Sequence, residues 1–111
     1  MSDNIHWVYE GLIINRDLVN EKIGEIVAHV KANEVGALIY EYCLNEDEDM
    51  LTIYERYANN EAVLAHGDNM KPYVYFFEEA VQVKKFIVFG PVSAKVKELL
   101  SGFGAEFQNL L

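Results

Sequence analysis

The strand-like run Ala37–Leu44, ALIYEYCL, carries apolar side chains on both of its faces. Leu38, Tyr40, Tyr42 and Leu44 fall on one side; Ala37, Ile39, Glu41 and Cys43 fall on the other. Residues 5–14 behave alike, with Trp7, Tyr9 and Ile13 alternating against Val8, Leu12 and Ile14. In residues 83–89, Phe86 and Val88 alternate with Ile87 and Phe89. An antiparallel sheet with one wet face alternates apolar and polar residues. A sheet of these strands needs cover on both faces, because monomers rarely expose an apolar patch beyond a few hundred Å².

Helical periodicity supplies cover for one face. Val19, Ile23, Ile26, Val27 and Val30 form a stripe along residues 17–33. Ala37–Leu44 and Met50–Tyr57 read as a hairpin around the acidic turn NEDED, residues 45–49. Asn59 or Asn60 can cap a second helix that runs to about His66, where Gly67 is expected to break it. Asn69 is expected to cap a third helix, with Pro72 in its first turn and Met70, Tyr73, Val74 and Phe77 on one face. Residues 83–89 form a fourth strand. Ser93 caps a short helix with Val96, Leu99 and Leu100 facing inward, and residues 105–110 offer a short fifth strand. Gly11 marks a bulge or a close approach inside the first strand.

The order is β-α-β-β-α-β plus a helix and an edge strand. That order is α+β, the ferredoxin-like split βαβ arrangement, an antiparallel sheet with helices on one face. With 111 residues and no Pro/Ser-rich linker, residues 1–111 read as a single domain. A second copy, packed sheet against sheet, is the simplest cover for the other face, so a homodimer is expected.

Eighteen acids against 9 bases give a net charge of -9. Such a surface repels phosphates, so nucleic acid and anionic membranes are not expected partners. No apolar run approaches the roughly 18 residues of a membrane span. The opening residues, MSDNIHWVYE, carry acid rather than a basic leader segment. The single cysteine, Cys43, cannot form an internal disulfide and is expected to be a buried structural thiol. A soluble cytoplasmic protein is expected.

Three features bear on chemistry. His66 is either a general base or a cap on helix carbonyls. Glu41 and Glu55 lie inside apolar strands, where a carboxylate must be paired or protonated. Arg56 and Arg16 are candidate partners for them, and the unknown hairpin register decides whether either carboxylate meets His66. Aromatic residues are many: Trp7, Tyr9, Tyr40, Tyr42, Tyr54, Tyr57, Tyr73, Tyr75, Phe76 and Phe77 read mostly as core or dimer interface, with a minority of them left to line a pocket for a flat hydrophobic ligand between sheet and helices. No second His or Cys stands at ligand spacing, so no metal site is expected. No GxGxxG, GxxxxGK[ST], GxSxG or CxxC motif is present.

Three stretches carry a resemblance. They are VGALIYEY at 35–42, IYERYANNEAVLAH at 53–66 and FGPVSAKVKELLSGFGAEF at 89–107. Together they resemble the antibiotic biosynthesis monooxygenase family of dimeric α/β barrels, in its quinol-monooxygenase-like branch. By position, Glu55 and His66 match the family's glutamate and histidine, and Tyr40-Glu41 matches its Tyr-Glu pair. Tyr57 stands where the family often has Trp. The resemblance implies oxygenation of a small aromatic or quinol-type compound without metal, flavin or other cofactor. It makes His66 the base, Glu55 its orienting partner, and Tyr40, Tyr57, Glu41, Trp7 and Phe77 the substrate contacts. The haem-degrading relatives use an Asn, Trp and His set, and strand one here has no internal Asn. The alternative reading is a non-catalytic dimer of the same fold that binds a small hydrophobic ligand.

Overall fold

The computed structural model describes residues 2–111. The first strand, β1 (Ile5–Ile13), leads into α1 (Arg16–Asn33), which Asn15 caps by accepting from the Leu18 N–H at 3.1 Å. The stripe expected on α1 is the buried one: Val19, Ile26 and Val30 are buried, with Ile23 and Val27 packed beside them. Strands β2 (Ala37–Leu44) and β3 (Met50–Tyr57) form the hairpin around the acidic turn. Helix α2 (Asn60–Asn69) starts at the Asn59 cap, which accepts from the Ala62 N–H at 2.9 Å.

Beyond His66 the structure departs from the sequence reading. Gly67 does not break α2, which continues to Asn69. A Cβ at Gly67 would lie 2.9 Å from Leu99 Cδ2, so the glycine serves close helix packing. Asn69 caps nothing with its side chain, and Pro72 sits in a 3-10 turn (Lys71–Tyr73) that leads directly into α3 (Val74–Ala80). Strand β4 (Val81–Phe89) then begins two residues earlier than expected, with no loop before it. Ser93 caps α4 (Ala94–Ser101) as expected, and β5 (Glu106–Gln108) closes the order.

The sheet order is β2-β3-β1-β4-β5. The first four strands pair antiparallel, and β5 runs parallel to β4, so the sheet is mixed rather than wholly antiparallel. The α+β, ferredoxin-like order with helices on one side is the expected one. The register slips between Glu10 and Gly11 against β4, and a Cβ on Gly11 would run into Val81 Cγ1. Gly11 thus marks both a bulge and a close approach.

Register assigns the faces. Ile5, Trp7, Tyr9, Leu51, Ile53, Glu55, Tyr57, Phe86 and Val88 point to the helices. Their packing forms two buried clusters, one centred on α1 and α3 and one on α2 and α4. The opposite face carries a row in register, Glu41–Tyr54–Val8–Ile87–Glu106. Its centre is apolar as expected, and its edges are acidic. Cys43 lies on this face at the β2 edge and is exposed, not buried, because the helices pack against the other face. Among the described residues, no helix is long and apolar enough to cross a membrane.

Candidate functional site

A cavity of about 510 Å³ lies where the two core clusters meet, between the sheet and the helices. Its walls include Trp7, Tyr9, Ile53 and Phe86 from the sheet, Val63 and His66 from α2, Met70 just past its end, and Phe77 from α3. Leu99 and Leu100 come from α4, and Phe103, 45% exposed, stands at the rim. The side of α2 turned to the cavity is Val63, His66 and Gly67, and Met70, which caps its end, continues the same face. The charged groups among its walls are Glu55, Glu78 and His66, and among the described residues no lysine or arginine lines it.

The register settles which strand carboxylate meets the histidine. Glu55 pairs with Tyr40 on one side and Trp7 on the other, and it faces inward, 5% exposed. Its Oε2 accepts from Trp7 Nε1–H at 2.5 Å, and its Oε1 accepts from the Tyr57 hydroxyl at 2.6 Å. Oε1 also lies 3.4 Å from His66 Nε2. Neither arginine partners it; Arg56 donates instead to Asn4 Oδ1. Burial is the main influence on this carboxyl and raises its pKa, against the lowering effects of His66, Tyr57 and Trp7.

His66 is held from both sides. Its Nδ1 lies 2.9 Å and 3.0 Å from the two oxygens of Glu34, and Asn69 Nδ2 donates to Glu34 Oε2 at 2.6 Å. The rings of Tyr57, Tyr40 and Trp7 surround the imidazole with centroids 4.9, 5.6 and 6.2 Å away. The Tyr40 and Tyr42 hydroxyls share a hydrogen bond of 2.8 Å. Burial pushes both phenols far above their usual range, and it raises Tyr9 to about 12, so all three hold their protons at neutral pH.

Of the residues singled out in the sequence, His66, Glu55, Tyr40, Trp7 and Phe77 come together at the cavity. Tyr57 is fully buried behind Glu55 and serves its carboxylate, not the cavity wall. Glu41 is exposed on the opposite face of the sheet, because adjacent strand residues point to opposite sides and Tyr40 points in. Glu34 escaped the sequence reading, which gives Asn69, Phe86 and Met70 only as a cap, a strand residue and a helix-face residue. Glu34 left one trace: an acid at the C-cap of α1 opposes the helix dipole and so calls for a partner elsewhere. Among the described residues, no group of three or more His, Cys, Asp or Glu side chains is placed to hold a metal ion.

One outcome follows from Glu55. Its raised pKa means the folded protein holds this proton more tightly than the unfolded chain does. The resulting stability is whole below the unfolded carboxylate's pKa and is lost as pH rises through the folded one. Glu55→Gln removes that loss. In urea unfolding across a pH series, the variant should gain on the wild type by ~1 kcal/mol or more as pH rises through that window. Parallel stability curves at every pH would contradict the burial argument.

The fold and the cavity define a class: a ferredoxin-like α+β domain with a carboxylate-flanked histidine in an aromatic pocket. No family model matches the sequence, and no curated protein matches it in sequence. Solved structures match it in fold. MupZ from Pseudomonas fluorescens superposes with a TM-score of 0.81 at 19% identity, over 100% of this chain and 88% of that one. A Caulobacter crescentus protein named for the antibiotic biosynthesis monooxygenases gives 0.66 at 22% identity, over 78% and 86%. SnoaB, a cofactor-independent oxygenase from Streptomyces nogalater, gives 0.64 at 9% identity, over 84% and 97%. The resemblance to antibiotic biosynthesis monooxygenases read from the sequence therefore holds in three dimensions, as a likeness of fold.

Proposed function

We propose that the chain is a cofactor-independent monooxygenase acting on a small, uncharged aromatic compound of the phenol or quinol type. The observation that carries this reading is the His66–Glu55 contact in the wall of an apolar, aromatic cavity. The likeness to SnoaB supports it at the level of fold. Glu55 and Glu78 with no facing lysine or arginine disfavour a carboxylate- or phosphate-bearing substrate, so the substrate is uncharged.

In the base form, His66 is neutral with its proton on Nδ1, and Nε2 accepts the substrate's acidic proton. The imidazolium that results lies between two carboxylates and offsets the substrate anion. The anion passes one electron to O2, giving a substrate radical and superoxide. These combine, forming a ring C–O bond. The peroxide takes the proton from His66, and its O–O bond breaks as the remaining C–H proton departs. The sum is a CH2 carbon plus O2 giving a carbonyl plus water. Trp7, Tyr40 and Phe77 hold the ring, and the dry walls keep the anion from bulk water.

The test is oxygen uptake with a panel of fused-ring probes, anthrone and 1,4-naphthohydroquinone among them. Uptake above the buffer rate, with carbonyl product, is expected. Binding without uptake would overturn the enzyme reading in favour of a ligand-binding protein.

The reading takes residues 1–111 as one catalytic domain, cytoplasmic and working as a homodimer. The row Glu41–Tyr54–Val8–Ile87–Glu106 has the apolar centre and charged rim of an interface. Sedimentation equilibrium should give twice 12.7 kDa, and Val8→Asp, at the centre of the row, should give the protomer mass. A protomer mass for the wild type at high concentration would contradict the dimer.

A further inference from the structure

Glu34 lies outside the cavity walls, yet it is tied to the one imidazole in them. Its carboxylate is almost wholly enclosed, with 4% side-chain exposure. It closes α1, its own backbone N–H bonded to the Val30 carbonyl at 2.9 Å. One turn earlier, His29 Nε2–H donates to the Asn69 carbonyl at 3.1 Å. The end of α1 thus grips the end of α2 at two points, through His29 and through Glu34.

The hydrogen-bond inventory of this cluster leaves little freedom. A carboxylate only accepts, so Asn69 must turn its NH2 toward Glu34 Oε2. For the same reason the nitrogen of His66 that faces Glu34 must carry a hydrogen. Nε2 stands 3.4 Å from Glu55 Oε1, a longer contact without hydrogen-bond geometry, so in a neutral ring the hydrogen stays on Nδ1 and the lone pair falls on Nε2. An acid at a helix C-terminus opposes the helix dipole, and two donors offset that cost here.

We propose that Glu34 is a positioning residue that, with Asn69, fixes the Nδ1–H tautomer of His66 and so keeps Nε2 free as the proton acceptor at the cavity wall. This rests on the reading of His66 as the base. Glu34 touches no substrate; it acts through His66. Glu55 then takes the second role, accepting from His66 once Nε2 is protonated, rather than orienting the neutral ring.

Asn69 makes the idea sharper. In Glu34→Gln the side chain keeps its shape but has one oxygen and one NH2. The Asn69 NH2 still needs an acceptor and claims the glutamine oxygen. The glutamine NH2 then takes the place 2.9 Å from His66 Nδ1, a donor against a donor unless Nδ1 gives up its hydrogen, while the glutamine oxygen, 3.0 Å from Nδ1, is already taken by Asn69. The ring must move its proton to Nε2, and the acceptor facing the substrate is lost.

The direct experiment is long-range ¹H–¹⁵N correlation of the imidazole nitrogens, at a pH high enough for the ring to be neutral. Wild type should show protonated Nδ1, and Glu34→Gln should show protonated Nε2. Oxidation of anthrone by Glu34→Gln should fall by about 10²–10⁴-fold, while anthrone binding, followed by Trp7 fluorescence, is unchanged. A second substitution, Glu34→Gln with Asn69→Asp, supplies an acceptor for the glutamine NH2. It turns the glutamine oxygen back to Nδ1, and it should restore the Nδ1–H signature and much of the rate. A wild-type ring protonated on Nε2 overturns the proposal without any variant. So does a double variant that keeps the Nε2–H signature. The NMR outcome does not depend on turnover, so a correct tautomer in a protein that oxidises no probe would sink only the oxygenase reading.

Discussion

Replacing His66 with alanine should slow anthrone oxidation by about 10²–10⁴-fold while leaving the cavity able to take up the ligand. The imidazole supplies the only side chain in the cavity wall that sits between two carboxylates, and those carboxylates stabilise the cation formed when it accepts a proton. Without it, Glu34 and Glu55 face each other across a hole with no cation between them. Burial already raises the Glu55 carboxyl, and a neutral carboxylic acid is a poor base. The aromatic walls, chiefly Trp7, Tyr40 and Phe77, are untouched. Trp7 is the single tryptophan of the chain, so its fluorescence reads ligand binding directly, and oxygen uptake reads turnover. Equal loss of binding and turnover would mean that His66 shapes the pocket rather than reacting in it.

Phe76→Ala should destabilise the fold by about 3–5 kcal/mol. Phe76 has no exposed surface and sits in the α1/α3 cluster with Val19, Ile26 and Ala80. Its neighbour Phe77, with ring centroid 5.1 Å away, lines the cavity instead. Domains of this size have a total stability of about 5–15 kcal/mol, so the loss removes a large share and should lower Tm by ten degrees or more. Phe77→Ala borders space that is already open and should weaken ligand binding more than stability. Thermal unfolding of the two variants side by side checks the assignment. Equal falls in Tm would mean that the cavity wall is part of the load-carrying core.

The parts of the site that follow strand and helix periodicity could be read from the sequence. Glu55 and Tyr57 share a face because they are two apart in β3, and His66 shares a face with Val63 and Met70 at helical spacing. The same rule argues against Glu41: it follows Tyr40 in β2, so both cannot reach the cavity. What periodicity cannot show is contact across long separations. The Glu34–His66 and Glu34–Asn69 bonds join residues 32 and 35 apart, and both depend on how α1 and α2 end against each other. Gly67 misled for a related reason. A glycine in a helical sequence reads as a stop, and its purpose, room for Leu99, lies in another element. The early start of β4 was hidden because the run Glu79-Ala80-Val81 continues a helical pattern, and the turn from α3 into the strand has no loop to mark it.

The stoichiometry of oxygen consumption with anthrone bears most directly on the account. Purified protein should consume one O2 per anthrone and release anthraquinone, with no hydrogen peroxide, at a rate that collapses in His66→Ala. Protein that quenches Trp7 fluorescence on binding anthrone, yet consumes oxygen no faster than buffer or than His66→Ala, would contradict it.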